Sequence, residues 1–303
     1  MDLLKQLCSI QATAGNEYAL REFLKEYVHA HQANWVVQPV IHEGIHLQDS
    51  LILEFGQPRT AAFAHMDSVG FTVGYLDQLI AIGSPQVKTG DVLIGADSKG
   101  PIECTVVSNE EGEWVYQFPR AIDRGCVLTY KLNFIVDDTF VQCCYLDNRL
   151  GIYNLLKVAP ELADGLLVFS CREEHQGGSI PILARYIYQR FQLTQTLISD
   201  ITWVTNGILH GEGVAISLRD QGIPRAQYLN RILKLAQQSE VPFQLEVESS
   251  GSSDARELQA SPYPFDWCFI GAPESQVHSP QEKVHKLDIA SMISLYQYLM
   301  KHL

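Results

Sequence analysis

The chain has 303 residues, 46% of them hydrophobic, and its 22 basic against 35 acidic residues give a net charge of −13. That length suits one large domain or two smaller ones with real cores, and the charge argues against nucleic acid as a partner. The −13 itself reads first as a solubility device, ahead of any preference for basic substrates. Seven cysteines, odd in number and without paired spacing, point to a reduced, cytoplasmic chain rather than a disulfide framework.

The opening "MDLLKQLCSIQATAG" carries an acid at position 2 and an amphipathic spacing, so no signal peptide is expected. No run approaches the length of a membrane-spanning helix. "LLKQLCSI" reads as a short helix with Leu3, Leu4 and Leu7 on one side. A second helix follows "TAGNE", with Leu20, Phe23, Leu24 and Val28 at helical spacing and Thr13 or Asn16 as its cap. Strands are expected in "NWVVQPV", "SLILEF" and "TAAFAH". From about Asp67 to Tyr145 the pattern changes to β-prone runs such as "ECTVVS" and "FVQCCYL", separated by Gly, Pro and Asp turns. That is the mark of a small β-barrel or sandwich. In this stretch Cys143 and Cys144 should point to opposite faces of a strand.

After Asp147 strands and helices alternate. "NRLGIYNLLKVA", "SIPILARYIYQRF", "PRAQYLNRILKLAQQS" and "DIASMISLYQYLMKHL" read as helices, and "GLLVFSC", "TLISD", "GVAISL" and "DWCFIG" as strands. The pattern predicts an α/β fold, a mixed sheet flanked by helices on both faces. One catalytic domain over 1–66 and 146–303 would be interrupted by an inserted β domain over 67–145.

Several apolar strands run straight into an acid or a histidine: His65, Glu173 and Glu174, and Asp200. Asp147 and His278 lie in comparable positions. Active groups of open α/β sheets gather at the carboxyl ends of the strands, which would bring all six into one crevice. Taken singly, each has a duller account: a satisfied core histidine for His65, a helix N-cap for Asp147, a solvated turn for the glutamates. Asp200 could be a cap and His278 an exposed loop residue. Together they offer two His, two Asp and two Glu, a donor set that zinc accepts. Two ions sharing a carboxylate need about five protein ligands, leaving one carboxylate free to act as a base. Adjacent glutamates at a strand end repel, unless one binds a cation and the other takes a proton.

His65-Met66-Asp67, Leu146-Asp147-Asn148-Arg149-Leu150-Gly151, Glu173-Glu174, Ser199-Asp200, Ser253-Asp254-Ala255 and His278-Ser279-Pro280 together resemble metallopeptidase family forty-two. These are dinuclear-zinc aminopeptidases: glutamyl and deblocking enzymes and the tetrahedral self-compartmentalised peptidases, some carrying an older endoglucanase label. The resemblance runs nearly end to end. It implies a zinc-exopeptidase-like fold in which His65 and Asp200 bind one metal, Glu174 and His278 the other, and Asp147 bridges them. Glu173 would be the general base, and Asp67 would orient His65 through its other ring nitrogen. A strained peptide at Asp147-Asn148, cis being one form of it, is also implied. A glycosidase reading needs two carboxyls flanking a sugar bond, and these carboxylates are better used as ligands.

The chain departs from the family at several points. Asn148 replaces the usual second Asp, and Ser68 a usual Glu. The loop "HQGGS" is a residue short, and the insert is short as well. Pro273-Glu274-Ser275-Gln276 stands where Pro-Thr-Arg-Tyr is usual, so substrate preference is not borrowed. The expected activity is release of N-terminal residues from short peptides. A metal-bridging hydroxide would attack, with Glu173 as base and two divalent ions as cofactors, zinc first, cobalt or manganese otherwise. A related dinuclear amidohydrolase, either a deacylase or a carboxypeptidase, and a catalytically retired scaffold are the alternatives. No nucleic acid or membrane partner is expected. A homo-oligomer is, at least a dimer and at most the family's twelve-subunit shell.

Overall fold

The strand Thr60–His65 is buried at every residue. Its period of two sends Ala62 and Ala64 into one core and Ala61 and Phe63 into another. Gly165–Ser170 divides the same way, with Leu167 and Phe169 on one side and Leu166 and Val168 on the other. Strands apolar on both faces need helices on both faces. Asp2–Ser9, Tyr18–His31, Leu146–Val158, Ala226–Ser239 and Lys286–His302 cover the first side. Ile180–Phe191 and Asp254–Ala260 cover the second. The computed structural model describes residues 1–175 and 177–303.

Among the described residues the main sheet has eleven strands. Along its path lie Val40–Gly44, Gln48–Phe55, Gly165–Ser170, Thr60–His65, Gln195–Trp203, Asp266–Ser275, Glu282–His285, Phe140–Cys143 and Ile135–Val136. Val214–Arg219 branches from Asp266–Ser275 and pairs with Phe243–Val247. Gly165–Ser170, Thr60–His65, Gln195–Trp203 and Asp266–Ser275 are mutually parallel neighbours, so their carboxyl ends open on the same edge.

The second sheet is antiparallel and six-stranded, ordered Leu79–Ile82, Gly70–Val73, Val127–Tyr130, Val92–Asp97, Gly100–Ser108, Trp114–Gln117. A bridge from Gln78 to Val115 joins its two ends, so it is a nearly closed barrel around its own core, which includes Phe71, Leu93, Val106 and Leu128. The fold is thus a mixed α/β sheet flanked by helices with a small β-barrel inserted in the chain. The all-β stretch is shared between the two sheets: Ile135–Val136 and Phe140–Cys143 pair into the main sheet, Val141 lying opposite Val284. Cys143, the last residue of its strand, and Cys144, just beyond it, face different cores.

Two local expectations fail. "NWVVQPV" is not a strand before Val40; the Val36 N–H bonds to the Pro160 carbonyl and its side chain is 70% exposed, so β-prone residues here find no ladder to join. Neither Thr13 nor Asn16 caps the second helix, which starts after Glu17 without a side-chain cap bond. Among the described residues no helix is long and apolar enough to cross a membrane.

Candidate metal centre

The parallel strands deliver their last residues to one place. Register sets Ser170 beside His65 and Ile198 beside Phe63, which brings Asp200 level with His65. His65, Asp147, Glu173, Glu174, Asp200 and His278 all line one cavity of about 280 Å³. Asp147 enters from the start of Leu146–Val158, where it and Asn148 depart from helical geometry and the peptide between them is cis. One of its oxygens, Oδ1, lies 3.3 Å from His65 Nε2, and the other, Oδ2, lies 3.2 Å from His278 Nε2. His65 Nε2 is also 3.6 Å from Asp200 Oδ2, and His278 Nε2 is 3.1 Å from Glu174 Oε2. Two imidazole–carboxylate pairs therefore share Asp147. Glu173 belongs to neither pair, its nearer oxygen standing 3.9 Å from His65 Nε2.

Asp67 lies beneath these groups, fully buried. Its Oδ1 accepts the Glu173 N–H and its Oδ2 the Glu174 N–H, both at 2.9 Å. His65 Nδ1 is nearer to the Asp67 carbonyl, at 3.2 Å, than to its carboxylate, at 3.6 Å. Asp67 thus grips the glutamate turn with its side chain and meets the histidine ring with its backbone. Gln176, in the "HQGGS" stretch expected to be a residue short, lies outside the described residues.

Residues other than the candidate ligands complete the surroundings. Ser84, from the inserted barrel, meets His278 Nδ1 at 2.9 Å, the placement that fixes a ring whose other nitrogen faces a metal. Glu282 is buried and accepts the backbone N–H groups of Asp147 (3.3 Å) and His278 (2.9 Å). Asn148 donates to the Ser199 carbonyl at 2.9 Å and accepts the Gly151 N–H at 2.8 Å. A Cβ on Gly151 would stand 2.2 Å from both the Asn148 side-chain oxygen and the Ser199 carbonyl, which explains the glycine. The wholly buried Arg149 donates to the carbonyls of Leu7, Ile10, Ala12, Met66 and Asp67.

The electrostatics are those of an anionic pocket short of positive charge. Burial pushes the Glu173 carboxyl well above the usual range, His65 opposing and Glu174 and Asp200 adding to it. Burial likewise raises Asp200 well above its usual range and raises Glu174. Burial also works against the Asp147 anion, but the two imidazoles hold its carboxyl below the usual range. Burial alone would lower the histidines; facing carboxylates instead raise His65 well above its ordinary value and push His278 up to about 12.

The donor set fits divalent metal. Ligand atoms of His65, Asp147 and Glu174 lie within 4.8 Å of one another, and mixed imidazole and carboxylate donors suit zinc. The second oxygen of Glu174 is buried and has no hydrogen-bond partner among the described residues, a deficit that a cation at that spot would satisfy.

Comparison with known proteins bears on the family and the fold. A curated relative from Acetivibrio thermocellus is 23% identical over 97% of this chain and 96% of its own length, and its name describes it provisionally as an aminopeptidase. An aminopeptidase from the archaeon Desulfurococcus kamchatkensis superposes with a TM-score of 0.88 at 17% identity, covering 100% of this chain and 94% of its own. The TET1 peptidase of Pyrococcus horikoshii, described as assembling into a tetrahedron or a large octahedral shell, gives 0.81 at 18% identity and 98% of both chains. Residues 120–295 match the family described as M42 glutamyl aminopeptidase, a span holding Asp147, both glutamates, Asp200 and His278, and the chain belongs to that family.

Proposed function

We propose that the protein is a metal-dependent aminopeptidase that removes N-terminal residues from short peptides, using two divalent ions, zinc foremost. The observation that carries this is the division of Asp147 between two imidazole–carboxylate pairs, His65 with Asp200 and His278 with Glu174. Those five residues would hold the ions, with Asp147 shared. Bound there, divalent metal supplies Lewis acidity toward a peptide carbonyl and toward water. Glu173 faces the same cavity without a place in either pair, which leaves it to act as general base. It takes a proton from the attacking water and returns it to the departing amine. Asp67 keeps Glu173 and Glu174 turned toward the cavity by holding their two N–H groups.

Residues 1–66 and 146–303 make up the catalytic unit in this reading. The insert over 67–145 narrows access and pairs subunits. Ser84 on the cavity wall supports the first role. The second is supported by the edge of the main sheet, where Ile135–Val136 is the terminal strand and both side chains are exposed. Open apolar edges need cover. A dimer is the minimal unit, and a twelve-subunit shell requires further contacts. Light scattering on a gel-filtration peak at several concentrations tests this; a monomer throughout removes the pairing role.

The activity is tested with dipeptide reporters bearing free or blocked amines, with zinc, cobalt or manganese added. Turnover of free-amine reporters alone is the expected result. Equal cleavage of blocked reporters would make the protein an amidohydrolase of another kind, and no cleavage of either would mark a retired scaffold.

A further inference from the structure

The cavity does not end at the candidate ligands. It continues along the strand Gln195–Trp203 past Asp200 to Thr202. Thr202, two residues on, shares the face of Asp200 and lies about 7 Å further from the centre. There three more acids, Asp220, Glu246 and Glu248, line the wall. Strand pairing assembles them. Ser217 pairs with Glu246 across two parallel strands, Asp220 and Glu248 follow at the ends of those strands, and the Glu248 N–H bonds to the Arg219 carbonyl at 3.0 Å.

Such a cluster is costly without a counter-charge. Glu246 is 3% exposed and Asp220 9%. Yet among the described residues no Lys, Arg or His forms an ion pair with any of the three. Arg219 turns its guanidinium to the Asp220 carbonyl, not to a carboxylate. One oxygen of Glu246 accepts from Thr202, and one oxygen of Asp220 from the Gly222 N–H. A carboxylate accepts more than one donor, so both keep capacity toward the cavity. Burial pushes both carboxyls up; at Glu246 the charges of Glu248 and Asp220 add to the rise while hydrogen bonding from Thr202 and Ser217 opposes it, and at Asp220 the Gly222 N–H and the nearby Arg219 charge oppose it without reversing it.

The missing cation is better matched by an organic side chain than by an ion. The donor cluster that could hold a metal among the described residues is at His65, Asp147 and Glu174, not here. Ile201, Trp203 and Phe269 line the same cavity as the acids, and a cavity that offers both apolar and acidic surface suits a long aliphatic stem with a cationic tip. The substrate α-amine is not that cation. It lies two bonds from the reacting carbonyl, which must sit against Glu173, whereas the acids are a further stretch of strand away.

We infer that Asp220, Glu246 and Glu248 form the pocket for the side chain of the substrate's first residue and select lysine or arginine there. This rests on the aminopeptidase reading and adds its substrate class. It also separates this chain from the glutamyl preference in its family's description, since a glutamate side chain would meet three like charges.

The test compares lysyl, arginyl, norleucyl and glutamyl coumarylamides on the metal-supplemented wild-type protein. Norleucine keeps the stem of lysine and lacks the charge. The lysyl and arginyl reporters should exceed the norleucyl one by about tenfold or more in kcat/KM, with the glutamyl reporter slowest. The double variant Glu246→Gln, Glu248→Gln should bring the lysyl-to-norleucyl ratio toward one. Equal or faster turnover of norleucyl or glutamyl reporters by the wild type overturns the inference and leaves the aminopeptidase reading intact. If no reporter turns over, that reading fails. Calorimetric binding of lysinamide against norleucinamide then decides the pocket: about tenfold tighter lysinamide supports it, and equal affinity overturns it.

Discussion

Glu17 and Arg172 are 155 residues apart, yet Glu17 Oε1 accepts the Arg172 N–H at 3.0 Å. The same oxygen takes the Gly15 N–H at 2.9 Å. Arg172 has a φ of +63° and opens the turn that presents Glu173 and Glu174. The amides of residues 172, 173 and 174 are therefore held by two buried carboxylates, Glu17 and Asp67.

Glu17 is 1% exposed, and burial together with the Asp67 charge pushes its carboxyl from 4.5 to about 7. A folded-state pKa above the unfolded value means that the folded state binds the extra proton. The contribution to stability is whole below pH 4.5 and is lost as pH rises through about 7. Glu17→Gln keeps the oxygen that accepts both N–H groups and removes the charge. Its stability relative to wild type should improve from acid to neutral pH, by up to about 3 kcal/mol. Urea melts of metal-free protein on either side of this window measure the gap, and a gap constant with pH would show that Glu17 titrates normally.

Glu173→Gln and Glu174→Gln should separate. The first removes a proton acceptor that belongs to neither imidazole–carboxylate pair, so turnover should drop ~10²–10⁴-fold with metal content nearly unchanged. The second removes a charge 3.1 Å from His278 Nε2 and should lower metal occupancy itself. Elemental analysis beside kinetics decides between them; wild-type activity in Glu173→Gln would take that residue out of the mechanism.

Metal binding should release protons. Facing carboxylates raise the proton affinity of His65 and His278 in the metal-free protein, His278 to about 12, and a protonated imidazole must give up that proton to become a ligand. Affinity should therefore climb with pH, and calorimetry in buffers of different ionisation enthalpy should show the release. Titration should saturate at two ions per chain, and chelation should lower the melting temperature. At a hundredfold excess over Kd, bound metal adds about 2.7 kcal/mol of stability. Saturation at one ion would sink the dinuclear proposal.

Arg149→Met should destabilise by about 3–5 kcal/mol in urea melts. The guanidinium is wholly buried and serves five carbonyls from the N-terminal segment and the His65 loop. Methionine fills much of the volume and satisfies none of them. A loss below about 1 kcal/mol would mean that water replaces the guanidinium.

The sequence by itself determined the layered architecture, because burial on both faces leaves a record in each strand. "TAAFAH" and "GLLVFS" are apolar at alternate and intervening positions alike, and only a sheet covered on both sides accepts them. It also placed acids and histidines at strand ends, where a local pattern stops. It could not tell that "NWVVQPV" lacks a neighbour to pair with, since β-propensity is realised only against a partner strand. Nor could it find Glu17, Ser84 or Glu282 beside the centre, or the Asp220, Glu246 and Glu248 cluster beyond it. Glu17 meets its partner across 155 residues, Ser84 meets His278 across 194, and Glu282 meets Asp147 across 135. The three distal acids converge through the register of two strands. Residue type and spacing are local properties, whereas which charges share a cavity, and which lack a partner there, is decided by sheet order and register once the chain has folded.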